Sequence, residues 1–190
     1  MRIEALITDL SSGDDERAEA AAQALASLGA AALPALGALL SDPDEDSRWW
    51  AVRALAESQA EGAGKLLVPA LGDPSPAVRQ AALLGIRLHP QPGTIPLLAS
   101  LLGDADGLCA AMAADALVGI GADAVPTLLE VMESGAQPAR LEAARALAEI
   151  GDPRAIPALF KALDDDSALI EYWASQGLEK MGVGMAFFKP

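Results

Sequence analysis

The sequence predicts an all-α fold, a right-handed α-solenoid of about six stacked helix pairs, and three observations predict it. An apolar marker residue recurs as Leu25, Leu55, Ile86, Leu117, Leu147 and Leu178, at steps of 30, 31, 31, 30 and 31 residues. Self-similarity at a fixed period of this size is the mark of a solenoid. The composition is 52% hydrophobic with only 4% aromatic, which suits close helix contact through alanine and leucine. Strand signals are missing, since no stretch sustains apolar–polar alternation.

The clearest copy of the unit runs from Ala139 to Leu163. Ala139, Glu142, Ala143, Ala146, Leu147 and Ile150 follow the spacing of one helical face. Gly151 ends that helix, because glycine takes the left-handed conformation without steric cost. Asp152 caps the next helix, and Pro157 falls in its first turn, where the missing N–H does no harm. Ile156, Leu159, Phe160 and Leu163 form the buried stripe of this second helix. The opening IEALITDL aligns with IPALFKAL, so residues 1–10 form a lone capping helix. Repeats follow at 12–40, 41–72, 73–103, 104–134 and 135–164, and 165–190 is a partial repeat within a single domain.

Two columns of the first helix are always small. Four residues before the marker stand Ala21, Ala51, Ala82, Ala113, Ala143 and Ala174; just before it stand Ala24, Ala54, Gly85, Ala116, Ala146 and Gly177. Small residues there let stacked helices approach. In the second helix, Pro34, Pro96, Pro126 and Pro157 share a column, with Lys65 as the exception. That second repeat also has ESQAEGAGK in place of a Gly-Asp-Pro turn, so its helices are expected to join less regularly. Asp-rich turns at 12–16, 41–47, 73–75, 104–107 and 164–167 lack the register of a calcium loop. They read as N-caps, favourable to the helix dipole.

The motifs DPSPAVRQAALLGI (73–86) and GDPRAIPAL (151–159) resemble the HEAT-like repeats first associated with phycobilin lyases. The resemblance covers essentially the whole chain. It implies a stack of helix pairs whose second helices line the concave side, and it implies handling of a tetrapyrrole or its carrier protein as an alternative function.

Charge excludes one large class of partner. The net charge is −14 and the isoelectric point is near 4.3. Residues 1–47 hold ten carboxylates against Arg2 and Arg17. Such a surface repels phosphate backbones, so nucleic acid is not expected; a third reading, similarity to HEAT-like alkyl-purine DNA glycosylases, fails on this point. One cysteine, Cys109, excludes an internal disulfide and fits a reducing compartment. The start MRIEALITDL does not read as a signal peptide, and the apolar run Leu28–Leu40 is short and broken by glycine and proline. The expected location is the cytoplasm, with no membrane contact.

Candidate binding residues come from two places. On the second helices the outward pairs are Ala35 and Leu39, Leu66 and Ala70, Leu97 and Leu101, Thr127 and Val131, and Ala158 and Ala162. Whatever part of these is not buried between second helices would form an apolar groove for a helix or peptide, with Leu66, Leu97, Leu101 and Val131 as its contacts. On the first helices, the column two past the Val78 position lies nearly opposite the core and holds Trp49 and Tyr172, with Trp50 and Trp173 beside them. These four are either partner contacts or structural: gap fillers in the case of Trp50 and Trp173, and a ring over Arg53 in the case of Trp49. Arg48, Arg79 and Arg140 share a column from which they can bond the Asp-rich turns. His89 reads as a helix C-terminal cap, and Cys109 as buried and inert.

No nucleophile–base or paired-carboxylate arrangement is evident, and no metal or cofactor is called for. The sequence therefore reads as a non-enzymatic scaffold that binds another protein or peptide. It is expected to be a monomer, with Val183, Met185, Phe187 and Phe188 folding back as a cap; the alternative is a homodimer through the uncovered C-terminal end.

Overall fold

The structure, a computed structural model, describes residues 2–183. Among the described residues there are twelve α-helices and no strand. Six first helices are long: α2 (Asp15–Leu28), α4 (Glu45–Glu57), α6 (Pro76–Leu88), α8 (Gly107–Ile120), α10 (Gln137–Ile150) and α12 (Ala168–Lys180). The second helices α3 (Leu33–Leu39), α5 (Ala63–Leu67), α7 (Ile95–Leu101), α9 (Val125–Ser134) and α11 (Ile156–Ala162) are shorter. The opening helix α1 (Arg2–Leu10) belongs with them. The fold is an all-α solenoid of helix pairs, and its chain divides into two compact units, Met1–Gln91 and Pro92–Pro190.

In the first unit α4 packs between α2 and α6 and against α3 and α5; in the second, α10 packs between α8 and α12 and against α9. Every residue of the marker column is buried, and so are Leu36, Leu67, Leu98, Leu128 and Leu159 of the second helices. The core of each unit is thus the seam between its two layers. Cys109 is fully buried in that seam. The helical stretch Gly107–Ser134 has a mean hydropathy of 1.6 and the length to cross a membrane. Its chain turns at Gly121, whose φ is 79°, and Ala113, Leu117 and Leu128 within it are core residues.

Four of the six first helices, α2, α4, α6 and α8, are started by one recurrent device, whereas α10 and α12 have no side-chain cap. Asp14, Asp44, Ser75 and Asp106 each accept a hydrogen bond from the backbone N–H three residues on, at 3.0, 2.8, 3.4 and 2.8 Å. Each capping residue is itself held by the side chain two residues earlier: Ser12, Asp42, Asp73 and Asp104 accept its N–H at 3.3, 2.9, 2.8 and 2.8 Å. The turn and cap together satisfy donors that the first turn of a helix leaves free. Gly151 closes α10 in the left-handed conformation, φ 70° and ψ 28°, and Asp152 accepts from the N–H of Arg154 at 2.9 Å.

The second repeat is the irregular one. Its α5 has only five residues and runs into a 3-10 turn at Pro69–Gly72. With Lys65 where other repeats carry proline, the proline instead comes at 69 and ends α5 rather than starting it. Val183 is half-buried and donates its N–H to the Leu178 carbonyl at 3.0 Å; Met185, Phe187 and Phe188, the rest of the expected cap, lie outside the described residues.

The small column has its reason in two equivalent joints. A Cβ on Gly85 would lie 2.6 Å from Leu67 Cδ1 and 3.0 Å from Ala56 Cβ; one on Gly177 would lie 2.9 Å from Leu159 Cδ1 and 2.9 Å from both Ala148 Cβ and its backbone Cα. At Gly85 the nearest obstacle is the flexible end of a leucine. At Gly177 it includes backbone. Alanine gains about 1 kcal/mol of helix propensity over glycine, whereas overpacking costs about 1–3 kcal/mol. Gly177→Ala is therefore expected to lower stability in urea and Gly85→Ala to leave it unchanged or raise it; equal effects would show that the backbone approach at Gly177 is not limiting.

Candidate functional site

The outward faces of the second helices are partly closed. Ala35, Leu66, Leu97, Thr127, Val131 and Ala158 are half-buried, whereas Leu39, Ala70, Leu101 and Ala162 are buried. Leu101 is only 9% exposed, which corrects its place among the binding residues. It lies in the last turn of α7, a helix that packs against both α8 and α9, and little of the side chain is left for a partner. Leu66, Leu97 and Val131 keep an accessible part.

In the second unit the remaining space forms a groove of about 560 Å³ between α9 and α11, floored by Leu129, Met132, Ala158 and Ala162. Its rim is charged: Glu133, Lys161, Asp164 and the ion pair of Arg140 with Asp165 stand around it. A smooth apolar trough is not what the fold builds here. The groove offers an apolar floor between opposite charges, a surface suited to a peptide with both kinds of side chain.

The aromatic residues occur as two matching pairs. Trp49 and Trp50 meet edge to face, with ring centroids 4.8 Å apart, and Tyr172 and Trp173 do the same at 5.3 Å. Trp49 is half-buried rather than exposed. A first helix inside a stack has neighbours on both flanks, α2 and α6 in the case of α4, so the side opposite the core is narrower than a single-helix count implies. Arg53 lies over the Trp49 ring at 5.8 Å and is held by Glu19 at 2.9 Å and Glu57 at 3.3 Å. Tyr172, in contrast, is 52% exposed.

The arginine column bonds the turns as its spacing implies. Arg48 makes a two-pronged contact with Asp73, Nε to Oδ2 at 2.7 Å and Nη2 to Oδ1 at 2.9 Å, and donates to the carbonyls of Asp42 and Pro43. Arg140 meets Asp165 in the same register. Arg79 donates to the carbonyls of Asp73 and Pro74. Arg48 and Arg79 thus tie their own turns, and Arg48 and Arg140 tie the next one. His89 ends α6, and its Nε2 lies 3.0 Å from the Ala56 carbonyl. A carbonyl only accepts, so the proton is on Nε2 and the ring fastens α6 to the end of α4. Among the described residues no group of three or more His, Cys, Asp and Glu side chains is arranged to hold a metal.

Two features were missed by the sequence reading. Arg145 binds Asp115 at 2.8 Å, Glu142 at 3.0 Å, Glu149 at 2.9 Å and the Ala111 carbonyl at 2.9 Å. Burial works against its charge, yet the hydrogen bonds it donates to Asp115, Glu142 and Glu149 push its pKa above the ordinary arginine value. The signal was present, since Arg53 and Arg145 both stand two residues before the marker. The other feature is a set of exposed leucines on first helices, Leu84, Leu88, Leu108 and Leu169, which a search confined to second helices passes over.

The Asp73 carboxyl sits below the usual carboxylate range: burial raises its pKa, but the hydrogen bonds from Arg48 and the Ser75 N–H, with the charges of Arg48 and Arg79, lower it further. A depressed folded pKa contributes stability above the unfolded value, about 3.9, and that contribution is lost as pH falls through the folded one. Asp73→Asn is expected to cost about 1–3 kcal/mol at neutral pH and to flatten the acid limb of the stability curve below about pH 5. An unchanged acid limb in urea titrations would show that the Arg48–Asp73 tie carries no stability.

Comparison with known proteins places this geometry. The family described as HEAT repeats matches residues 3–87, 64–137 and 95–179. The chain is similar to a phycocyanobilin lyase subunit beta of Pseudanabaena tenuis (strain PCC 7409), 38% identical over 90 residues. That likeness covers 47% of this chain and 32% of the relative, so it spans about a third of the relative's length. Among solved structures, the complex of CpcE and CpcF of phycocyanin lyase from Nostoc sp. PCC7120 matches 76% of this chain and 96% of its own, with a TM-score of 0.59 and 24% identity. A designed armadillo repeat protein in complex with the peptide (KR)4 matches 95% of this chain and 100% of its own, with a TM-score of 0.56 and 23% identity. At such identities the structures speak for the fold alone.

Proposed function

The chain belongs to the HEAT-repeat family, and we propose that it is a protein-binding scaffold that receives a partner segment along its second helices. The observation that carries this reading is the half-buried apolar side chains on those helices, Leu97 and Val131 in the second unit and Leu66 in the first, with the charge-rimmed groove between α9 and α11. A partly covered apolar side chain has area left to lose to a partner, and the polar rim supplies direction. The work is adaptor work rather than catalysis, and the partner is a protein or peptide. The acidic chain disfavours nucleic acid, and a location in the cytoplasm fits its single thiol.

A second reading has its own observation. The likeness to a phycocyanobilin lyase subunit, together with two edge-to-face aromatic pairs on first helices, supports the handling of a bilin or its carrier protein, with Trp49, Trp50, Tyr172 and Trp173 as ring contacts. Mixing the protein with a linear tetrapyrrole tests it: absence of any new or shifted absorption band removes it.

The scaffold reading makes a contrast between neighbours. Leu97→Asp places a charge on an accessible face and is expected to keep full helicity while abolishing capture of the partner from the native cell. Leu101→Asp places a charge in a junction and is expected to lower stability by several kcal/mol, about 2–5. Capture unaffected by Leu97→Asp and Val131→Asp would show that the second helices are not the binding face.

A further inference from the structure

The two aromatic pairs occupy the same register, yet only one is complete. On α4 the face of Trp49 already has a cation, Arg53 at 5.8 Å, and that cation is itself held by Glu19 and Glu57. On α12 the position equivalent to Arg53 is Gln176. Tyr172 and Trp173 keep the edge-to-face geometry, but no side chain of their own helix brings a charge to the ring. Leu169, 58% exposed, stands three residues before Tyr172 and on the same face.

The surroundings carry the opposite charge. Asp166, Glu171 and Glu179 are all exposed, and none of the three has an ion pair among those found in the described residues; Lys180, the basic residue of α12, donates instead to the Glu149 carbonyl. An apolar stripe with an open aromatic face, set among uncompensated carboxylates, is complementary to a basic and apolar segment. It is not complementary to an acidic one.

We propose that the outer face of α12 is a second docking surface, on which Tyr172 and Trp173 receive an arginine or lysine of a partner protein while Leu169 receives the apolar residue beside it. The arrangement on α4 is the closed version of this site, with the cation supplied in cis. The surface is separate from the second-helix face, so either can fail without the other.

The test uses the full chain and a synthetic peptide alternating leucine with arginine, with a counterpart carrying citrulline, which has the shape of arginine without its charge. Binding is followed by titration and by the NMR signal of the Trp173 indole N–H. The arginine peptide is expected to shift that signal, and to lose affinity as salt is raised. A cation–π contact at an exposed site is worth about 0.5–1 kcal/mol, or roughly a 2- to 5-fold change in affinity. Tyr172→Leu keeps the apolar body and is expected to lose about that factor. Gln176→Arg, at an exposed position that cannot unfold the helix by overpacking, is expected to lose it too by supplying the cation from within. Equal affinity for the arginine and citrulline peptides would overturn the proposal, as would undiminished binding by Gln176→Arg. Tighter binding by a chain ending at Val183 would overturn it as well, by showing that residues 184–190 are the true occupant. Leu97→Asp is expected to leave this binding intact, which separates it from the second-helix face.

Discussion

The structure depends on how closely one first helix can lie against the one before it. At Gly85 and Gly177 the approach is so tight that a single added carbon would lie within 2.6–3.0 Å of its neighbours. In both cases the neighbours are an alanine of the preceding first helix and a leucine of the intervening second helix: Ala56 and Leu67, then Ala148 and Leu159. Each joint therefore brings three helices together at one small residue. The column four before the marker is alanine in every repeat, fully or almost fully buried. Large side chains in either column would hold the helices apart and open the seam where the marker leucines are packed. The low aromatic content follows from the same geometry, since a stack of closely spaced helices has little room for rings.

Close approach sets the spacing of helices but not their register along the stack. That is the work of the Asp-rich turns. One carboxylate, Asp73, accepts the N–H of Ser75 at 2.8 Å and also the guanidinium of Arg48 from the preceding repeat. A turn that starts its own helix is thereby tied to the helix before it. Asp165 repeats the arrangement with Ser167 and Arg140. Part of the acidity of this chain is therefore structural.

Most of this was legible in the sequence. A period of 30–31 residues and two columns of alanine and glycine are periodic signals, and the structure places them as they read; capping side chains stand ahead of α2, α4, α6 and α8 but not of α10 or α12. What was not legible depends on which neighbours a side chain meets. Leu97 and Leu101 are four residues apart on one helical face, yet Leu97 is half-buried and Leu101 is buried, a difference that helical periodicity does not carry. Trp49 fails as an exposed residue for a similar reason: helical periodicity locates the core but says nothing of flanking helices. The Arg145 cluster draws Asp115 from thirty residues earlier, and no window along one helix contains both partners.

The last first helix shows how the same register can be turned to another use. In the column three residues before the marker, the earlier repeats place Ala22, Val52, Leu83, Ala114 and Ala144, all buried. One turn further along the same face, Ala56 and Ala148 are the residues that meet the next helix. On α12 these positions are Ser175 and Glu179, half-buried and exposed. Desolvating Glu179 against another first helix would cost more than a stack gains from a small apolar contact, so α12 is built to lie against water there. With an exposed carboxylate where α4 and α10 place a buried alanine, α12 can vary its outward residues without breaking the seam. Tyr172, Leu169 and Gln176 stand where that freedom is greatest, and their departure from the pattern of α4 is a departure on the surface that stacking leaves unconstrained.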